Sequence, residues 1–208
     1  MDDQARIREI DSILRAIYPP TTALLFDSPF TLLVAAILAA QCTDERVNAV
    51  TRTLFDRFPG PEAFAKAKQE VIEEAVHSTG FYRQKAKTLK EMSKALLEEF
   101  GGKVPGSVGE LTRLPGVGRK TANLVLGNAL GVPALFVDTH VSRLAARMGF
   151  TANKDPDKIE ADLVKLLPQE RWTAFSNILT HHGRAVCTAK KPRCPACPIN
   201  SLCPKIGV

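Results

Sequence analysis

The chain has 208 residues, 28 Lys and Arg against 22 Asp and Glu for a formal net charge of +6, and 45% apolar content. That is enough for one large domain or two small ones around a closed core, it favours a polyanionic partner, and the absence of repeats or biased tracts excludes solenoid and disordered architectures. The longest apolar run, Phe30 to Ala40, is short of the roughly 20 residues that cross a bilayer, and the acidic start Met1-Asp2-Asp3-Gln4 has the order of neither an export signal nor a transit peptide.

Ile7, Ile10, Ile13, Leu14 and Ile17 recur three and four apart, which predicts a first helix that Pro19-Pro20 stops. Ser28 and Pro29 offer a cap and a first-turn proline to a buried helix over the apolar run. At its end, Gln41-Cys42-Thr43-Asp44 is polar, with Thr43 or Asp44 placed to cap a helix through Val47, Val50, Leu54 and Phe58 that Pro59-Gly60-Pro61 ends. A short helix through Val71 and Val76 stops near Thr79-Gly80. A longer one then carries Tyr82, Ala86, Leu89, Leu96 and Phe100 on one side and Arg83, Lys87, Lys90 and Lys94 on the other. That basic stripe reads as a solvated face or as a phosphate track.

After Gly101-Gly102 and Pro105, a short helical segment from Ser107 to Thr112 breaks at Pro115-Gly116-Val117-Gly118, and a new helix begins at Lys120. The two glycines permit positive φ and expose backbone N–H groups beside a helix N-terminus, a natural seat for a phosphate oxygen. Gly131-Val132-Pro133 then leads through Val137-Asp138-Thr139-His140 into a helix with Val141, Leu144, Ala145 and Met148. Two more follow, with Ile159, Leu163 and Leu166, then Trp172, Phe175, Ile178, Leu179 and Val186. Nothing alternates at period two for long, so an all-α protein is expected.

Four of the five cysteines close the chain: Cys187, Cys194, Cys197 and Cys203. Short loops of this kind bring thiolates to a metal centre, and both zinc and an iron–sulfur cluster fit the spacing. His182 makes a mixed Cys and His zinc site conceivable, although the cysteines suffice.

Together, the run Leu114-Pro115-Gly116-Val117-Gly118-Arg119-Lys120-Thr121-Ala122-Asn123, the downstream Asp138, the Gln41-Cys42-Thr43-Asp44 and Gly80-Phe81-Tyr82 segments and the cysteine spacing resemble the helix-hairpin-helix DNA glycosylases, and among them the endonuclease III family. The likeness extends from Phe30 to Cys203. It implies an all-α, two-lobed fold. A six-helix barrel lobe would cover residues 22–131, with the helix-hairpin-helix at about 107–130. An iron–sulfur cluster lobe would join residues 1–21 to 132–208, with the cluster loop at 187–203 and a DNA cleft between the lobes. Lys120 and Asp138 would face each other across it.

The resemblance implies that Lys120 is the attacking amine and Asp138 the carboxylate that stabilises positive charge on the sugar and assists proton transfer. The chemistry needs both a nucleophile and a fixed anion, and the positive end of a helix disfavours the ammonium form of a lysine beside it. It also implies a 4Fe-4S cluster on Cys187, Cys194, Cys197 and Cys203, and DNA contacts by the basic loop with Lys190, Lys191 and Arg193. Gln41 and Phe81 would enter the base stack, Gly116 and Gly118 would meet phosphate, and His140 would touch the backbone. The carbonyls of Thr112, Leu114 and Val117 would hold a monovalent cation. Phe81 departs from the leucine of many relatives, which bears on tolerance for the opposite base; Cys42 is also unusual and reads as a buried small hydrophobe.

The function implied is base-excision repair: removal of oxidised or ring-saturated pyrimidines from double-stranded DNA, then nicking of the abasic site by β-elimination. Other readings are a glycosylase of different specificity, a non-catalytic helix-hairpin-helix DNA-binding protein and a basic iron–sulfur electron carrier. A monomer in the cytoplasm, nucleoid-associated if bacterial, and with no membrane partner, completes the expectation.

Overall fold

The computed structural model describes residues 2–208, and Met1 lies outside them. Among the described residues every regular element is helical, and no helix is long and apolar enough to cross a membrane. Asp2 accepts the Ala5 N–H at 2.7 Å and opens α1 (Asp3–Arg15), which buries Ile7, Ile10 and Leu14. The helix ends before Ile17, which is 52% exposed rather than part of the apolar face. Pro19 is the reason: the residue before a proline avoids helical geometry, so the chain unwinds ahead of Tyr18.

Ser28 and Thr31 cap each other reciprocally and Pro29 takes the first position of α2 (Pro29–Leu38), a rod buried almost all round. Thr43 accepts the Arg46 N–H and opens α3 (Asp44–Arg57). Next comes α4 (Pro61–Lys66), where the sequence reads as a stop. Pro61 sits at the first helical position, where a missing N–H costs nothing. Fully buried Phe64, stacked on Phe58 at 4.8 Å between centroids, holds the short helix in place.

The chain continues through α5 (Gln69–Val76) and α6 (Tyr82–Phe100), which Gly101 ends in the left-handed region. The hairpin pairs α7 (Val108–Leu111) with α8 (Arg119–Ala129). After an extended segment come α9 (Thr139–Arg147), α10 (Pro156–Val164) and α11 (Trp172–Ala185).

These elements form two compact units. One is Ala23–Val132, in which α2 packs on α3, α6 and α8 while α4 and α5 pack on α6. The other joins Met1–Thr22 to Pro133–Val208, with α9 and α1 on α11 and α10 on α9. Its core includes Ile10, Leu14, Val141, Leu144, Phe175 and Ile178. Buried Asp11 of α1 takes both Arg171 nitrogens at 2.8 and 3.0 Å, a bidentate pair that fixes the N-terminal helix to the segment before α11.

Candidate functional site

In the first unit, Ser107 caps α7 through the Glu110 N–H, and the Val117 N–H closes the turn on the Leu114 carbonyl at 3.1 Å. Only one of the two hairpin glycines takes positive φ. Gly116 stands at φ +77, and a Cβ there would meet the Thr88 methyl at 2.2 Å, so the turn lies flat on α6 through its glycine. Gly118 is extended (φ −90, ψ 173) and a Cβ there would meet nothing within 4 Å. It is the N-cap of α8, and no side-chain hydrogen bond caps that helix, whose positive end favours an anion. Lys120, in the first turn, is exposed.

In the second unit, Asp138 is the N-cap of α9. Its Oδ1 accepts the N–H groups of His140 and Val141, both at 2.8 Å, while Oδ2 lies 3.3 Å from the Thr180 hydroxyl. The residue is half-buried, and both of its oxygens face hydrogen-bond donors. His140 packs against Gly183, where a Cβ would come within 2.8 Å of its Nδ1; burial pushes the imidazole down, against the opposing pull of Asp138.

Gln41 and Phe81 are both exposed, and both hold the left-handed conformation, at φ 53 and 47. Cys42 is half-buried rather than enclosed, because the turn after α2 leaves it near the surface.

The four clustered cysteines are half-buried free thiols and line one small hollow, walled by Leu144, Met148, Val186 and Ile199. Burial pushes the Cys197 and Cys203 thiols up, and the neighbouring cysteines push the same way. Four cysteine sulfurs lining one hollow are a soft donor set that fits a thiophilic metal group. Among the described residues, no three His, Cys, Asp or Glu side chains gather around a single ion. His182 is buried, with Nδ1 3.1 Å from the Tyr18 hydroxyl and Nε2 3.5 Å from Cys197 Sγ; burial pushes its pKa down to about 4. Lys190, Lys191 and Arg193 are exposed on the loop between the first two cysteines, and Arg193 also donates to the Ala185 carbonyl.

Three residues, two beside the cysteine loop and one in the first unit, escape a reading of the sequence alone. Arg147 donates to Cys187 Sγ at 3.3 Å and to the Thr188 and Ala189 carbonyls, both at 2.8 Å. Arg143 donates to the Gly183 and Cys187 carbonyls at 3.1 and 3.0 Å. The helix that Asp138 caps therefore also holds the first cysteine. The third, Lys85, is 5% exposed and donates to the Leu38 and Thr79 carbonyls, both at 2.8 Å. A signal exists for each: His140, Arg143, Leu144 and Arg147 share one helical stripe, and Lys85 falls in register with Leu89, Met92 and Leu96. A cation on an apolar stripe calls for a buried acceptor.

Residues 34–169 match the family described as HhH-GPD superfamily base excision DNA repair protein, and residues 187–203 match the iron–sulfur binding domain of endonuclease III. The chain is 52% identical over 201 residues to endonuclease III of Synechocystis, covering 96% of this chain and 92% of the relative. Two solved structures superpose with TM-scores of 0.93 and 0.92 at 38% identity, covering 99% of this chain and 97% of theirs. The first is a non-covalent endonuclease III–DNA complex, the second a trapped endonuclease III–DNA covalent intermediate. With a family match over more than half its length and relatives alike from end to end, this chain belongs to the endonuclease III family of helix-hairpin-helix DNA glycosylases with an iron–sulfur domain.

Proposed function

We propose that the protein is a bifunctional base-excision repair enzyme that cleaves the N-glycosidic bond of an oxidised or ring-saturated pyrimidine in double-stranded DNA and then nicks the abasic site. What carries the assignment to residues is Lys120, an exposed amine on the uncapped first turn of the hairpin's second helix. The lone pair of its Nζ attacks C1′ as the bond to the base breaks, and the base leaves with the electron pair and takes up a proton. Positive charge on the sugar is met by Asp138, whose Oδ1 is committed to two amides and whose Oδ2 is the oxygen left for the reaction. The nitrogen gives up one proton, the C1′–O4′ bond breaks as O4′ takes up a proton, and the lone pair on nitrogen forms the C=N bond of a protonated Schiff base. Removal of a C2′ proton then expels the 3′ phosphate.

Gln41 and Phe81 fill the space the extruded nucleotide leaves, Gln41 by hydrogen bonding the orphaned base and Phe81 by stacking. The N–H groups beside Gly116 and Gly118, together with His140, Lys190, Lys191 and Arg193, hold the backbone. The Thr112, Leu114 and Val117 carbonyls are the ones for a monovalent cation bridging to phosphate. Leu114 spends one lone pair on Val117 and keeps one. Cys187, Cys194, Cys197 and Cys203 hold a 4Fe-4S cluster, which when bound supplies iron–thiolate bonds that fix the loop. The protein acts as a monomer in the bacterial cytoplasm.

Borohydride reduction in the presence of abasic-site DNA tests the assignment. The wild type should yield a covalent protein–DNA adduct and Lys120→Ala should yield none. An undiminished adduct in that variant moves the nucleophile elsewhere, and no adduct in the wild type leaves a base-removing glycosylase or a DNA-binding protein.

A further inference from the structure

The geometry points to Lys85 as a positioning residue: one buried ammonium clamps both loops that carry Gln41 and Phe81 and sets them for insertion into the base stack. This inference rests on the function proposed above for those two residues.

Among the described residues, three other than glycine have positive φ, and two of them are Gln41 and Phe81. Side chains with a Cβ avoid that region, so each loop must be held there by its surroundings. Gln41 lies three residues beyond Leu38, the last residue of α2, and Phe81 two beyond Thr79, the end of a short 3-10 turn. The carbonyls of those two residues are the ones that Lys85 Nζ takes, both at 2.8 Å. Its backbone N–H in addition takes the Phe81 carbonyl at 3.0 Å.

The placement is favourable for physical reasons. The last carbonyls of a helix have no partner within it and carry its negative end, so a cation at the α2 terminus satisfies an acceptor and meets the dipole. Burial pushes the Lys85 ammonium down, the Cys42 sulfur offsetting part of that cost. A buried cation bonded only to backbone is a costly way to fill a core, where a methionine of similar length would pack without desolvation. Its distinctive contribution is to fix the spacing between two carbonyls that lie 41 residues apart in sequence, on separate loops. Phe81, 67% exposed, and Gln41 are thereby presented as a rigid pair. Rigidity matters because a wedge that must be ordered on binding spends part of its interaction on ordering.

Lys85→Met keeps the volume and removes the clamp. Three measurements on the iron-loaded protein decide the matter. Amide exchange of segments 39–43 and 79–82 should quicken by about tenfold or more while the other helices keep their protection. Single-turnover excision of a ring-saturated pyrimidine from duplex DNA should fall by about tenfold or more, whereas cleavage at an abasic site in single-stranded DNA, which requires no extrusion, should stay within about threefold. In the Lys85→Met background, Gln41→Ala and Phe81→Ala should each cost less than in the wild type, since a loose wedge is already poorly used.

Unchanged exchange in the two segments overturns the clamp. Equal loss on duplex and single-stranded substrates overturns the positioning role and leaves a general structural defect. A wild type that neither excises nor cleaves overturns the functional reading itself, and the exchange measurement still decides whether Lys85 couples the loops. Should Lys85→Met fail to fold, Lys85→Gln, which keeps a shorter donor, is measured in its place against the same outcomes.

Discussion

Asp138 has two separable duties. As the N-cap of α9 it accepts two amides through Oδ1, and in the mechanism proposed above its negative charge answers the charge that develops on the sugar. Asparagine caps helices about as well as aspartate, but it carries no charge and no basic oxygen. Asp138→Asn should therefore unfold within about 0.5 kcal/mol of the wild type and lose most of its base excision, while Asp138→Ala should lose both, with about 1 kcal/mol of stability. Denaturant unfolding and single-turnover excision on the same preparations check this. Comparable destabilisation by both substitutions would mean that the carboxylate charge matters mainly to the fold. Among single residues, Lys120 after the Gly-x-Gly turn and Asp138 before a helix can be picked out of the sequence by the resemblance, and the structure puts each at the start of a helix. Thr180, which reaches Asp138 Oδ2, cannot be picked out, since nothing local distinguishes a threonine in a helix.

The hairpin shows how one element divides its work between two glycines two positions apart. Gly116 serves the fold: positive φ and the Thr88 methyl at 2.2 Å from any added Cβ both forbid a side chain. Gly118 has extended backbone and open space around it, which suits the phosphate contact proposed for it. Gly116→Ala should cost about 1–3 kcal/mol by strain and overpacking, and adding Thr88→Ser should recover the part due to the clash. Gly118→Ala should change stability by less than about 1 kcal/mol, yet weaken DNA binding if the proposed phosphate contact at the start of α8 holds, because the methyl would crowd that approach. Thermal unfolding and a binding titration separate the two; a Gly118→Ala protein with unaltered affinity would remove that turn from the DNA contacts. The two glycines permit positive φ and only Gly116 uses it, since the glycine pattern says only that a Cβ is unwelcome and not whether backbone or guest excludes it.

The protein as a whole carries +6 and places Lys190, Lys191 and Arg193 on an exposed loop whose ends are cysteines. Each phosphate that a cation neutralises releases counterion, so the salt dependence of binding counts such contacts. Lys190→Ala and Lys191→Ala should each lower the slope of log affinity against log salt by about 1, without altering base preference. Binding to undamaged duplex over a range of salt checks this, and slopes equal to that of the wild type would mean that both lysines face only water. Arg143 and Arg147 make the opposite use of charge. Their donors are taken by the carbonyls of Gly183, Cys187, Thr188 and Ala189, which leaves the loop's exposed cations to act outward.

The sequence by itself determined the helical content, the caps at Ser28 and Thr43, the hairpin with Lys120, the aspartate at a helix start and the clustering of four cysteines. Each of these is local: a period of three and four, a serine before a proline, a short spacing between thiols. It missed α4, because a Pro-Gly-Pro run reads as a stop unless one knows that Phe64 finds Phe58 and Phe30 to pack against. Only the tertiary structure decided that Lys85 joins two loops, that Asp11 pairs with Arg171 and that Arg147 reaches the cysteine loop. Those contacts span 6 to 160 residues, and a buried ion is tolerated only where its acceptors converge on it in space. Spacing along the chain reports which side chains share a face. The acceptors that face will meet are fixed only once the helices have packed.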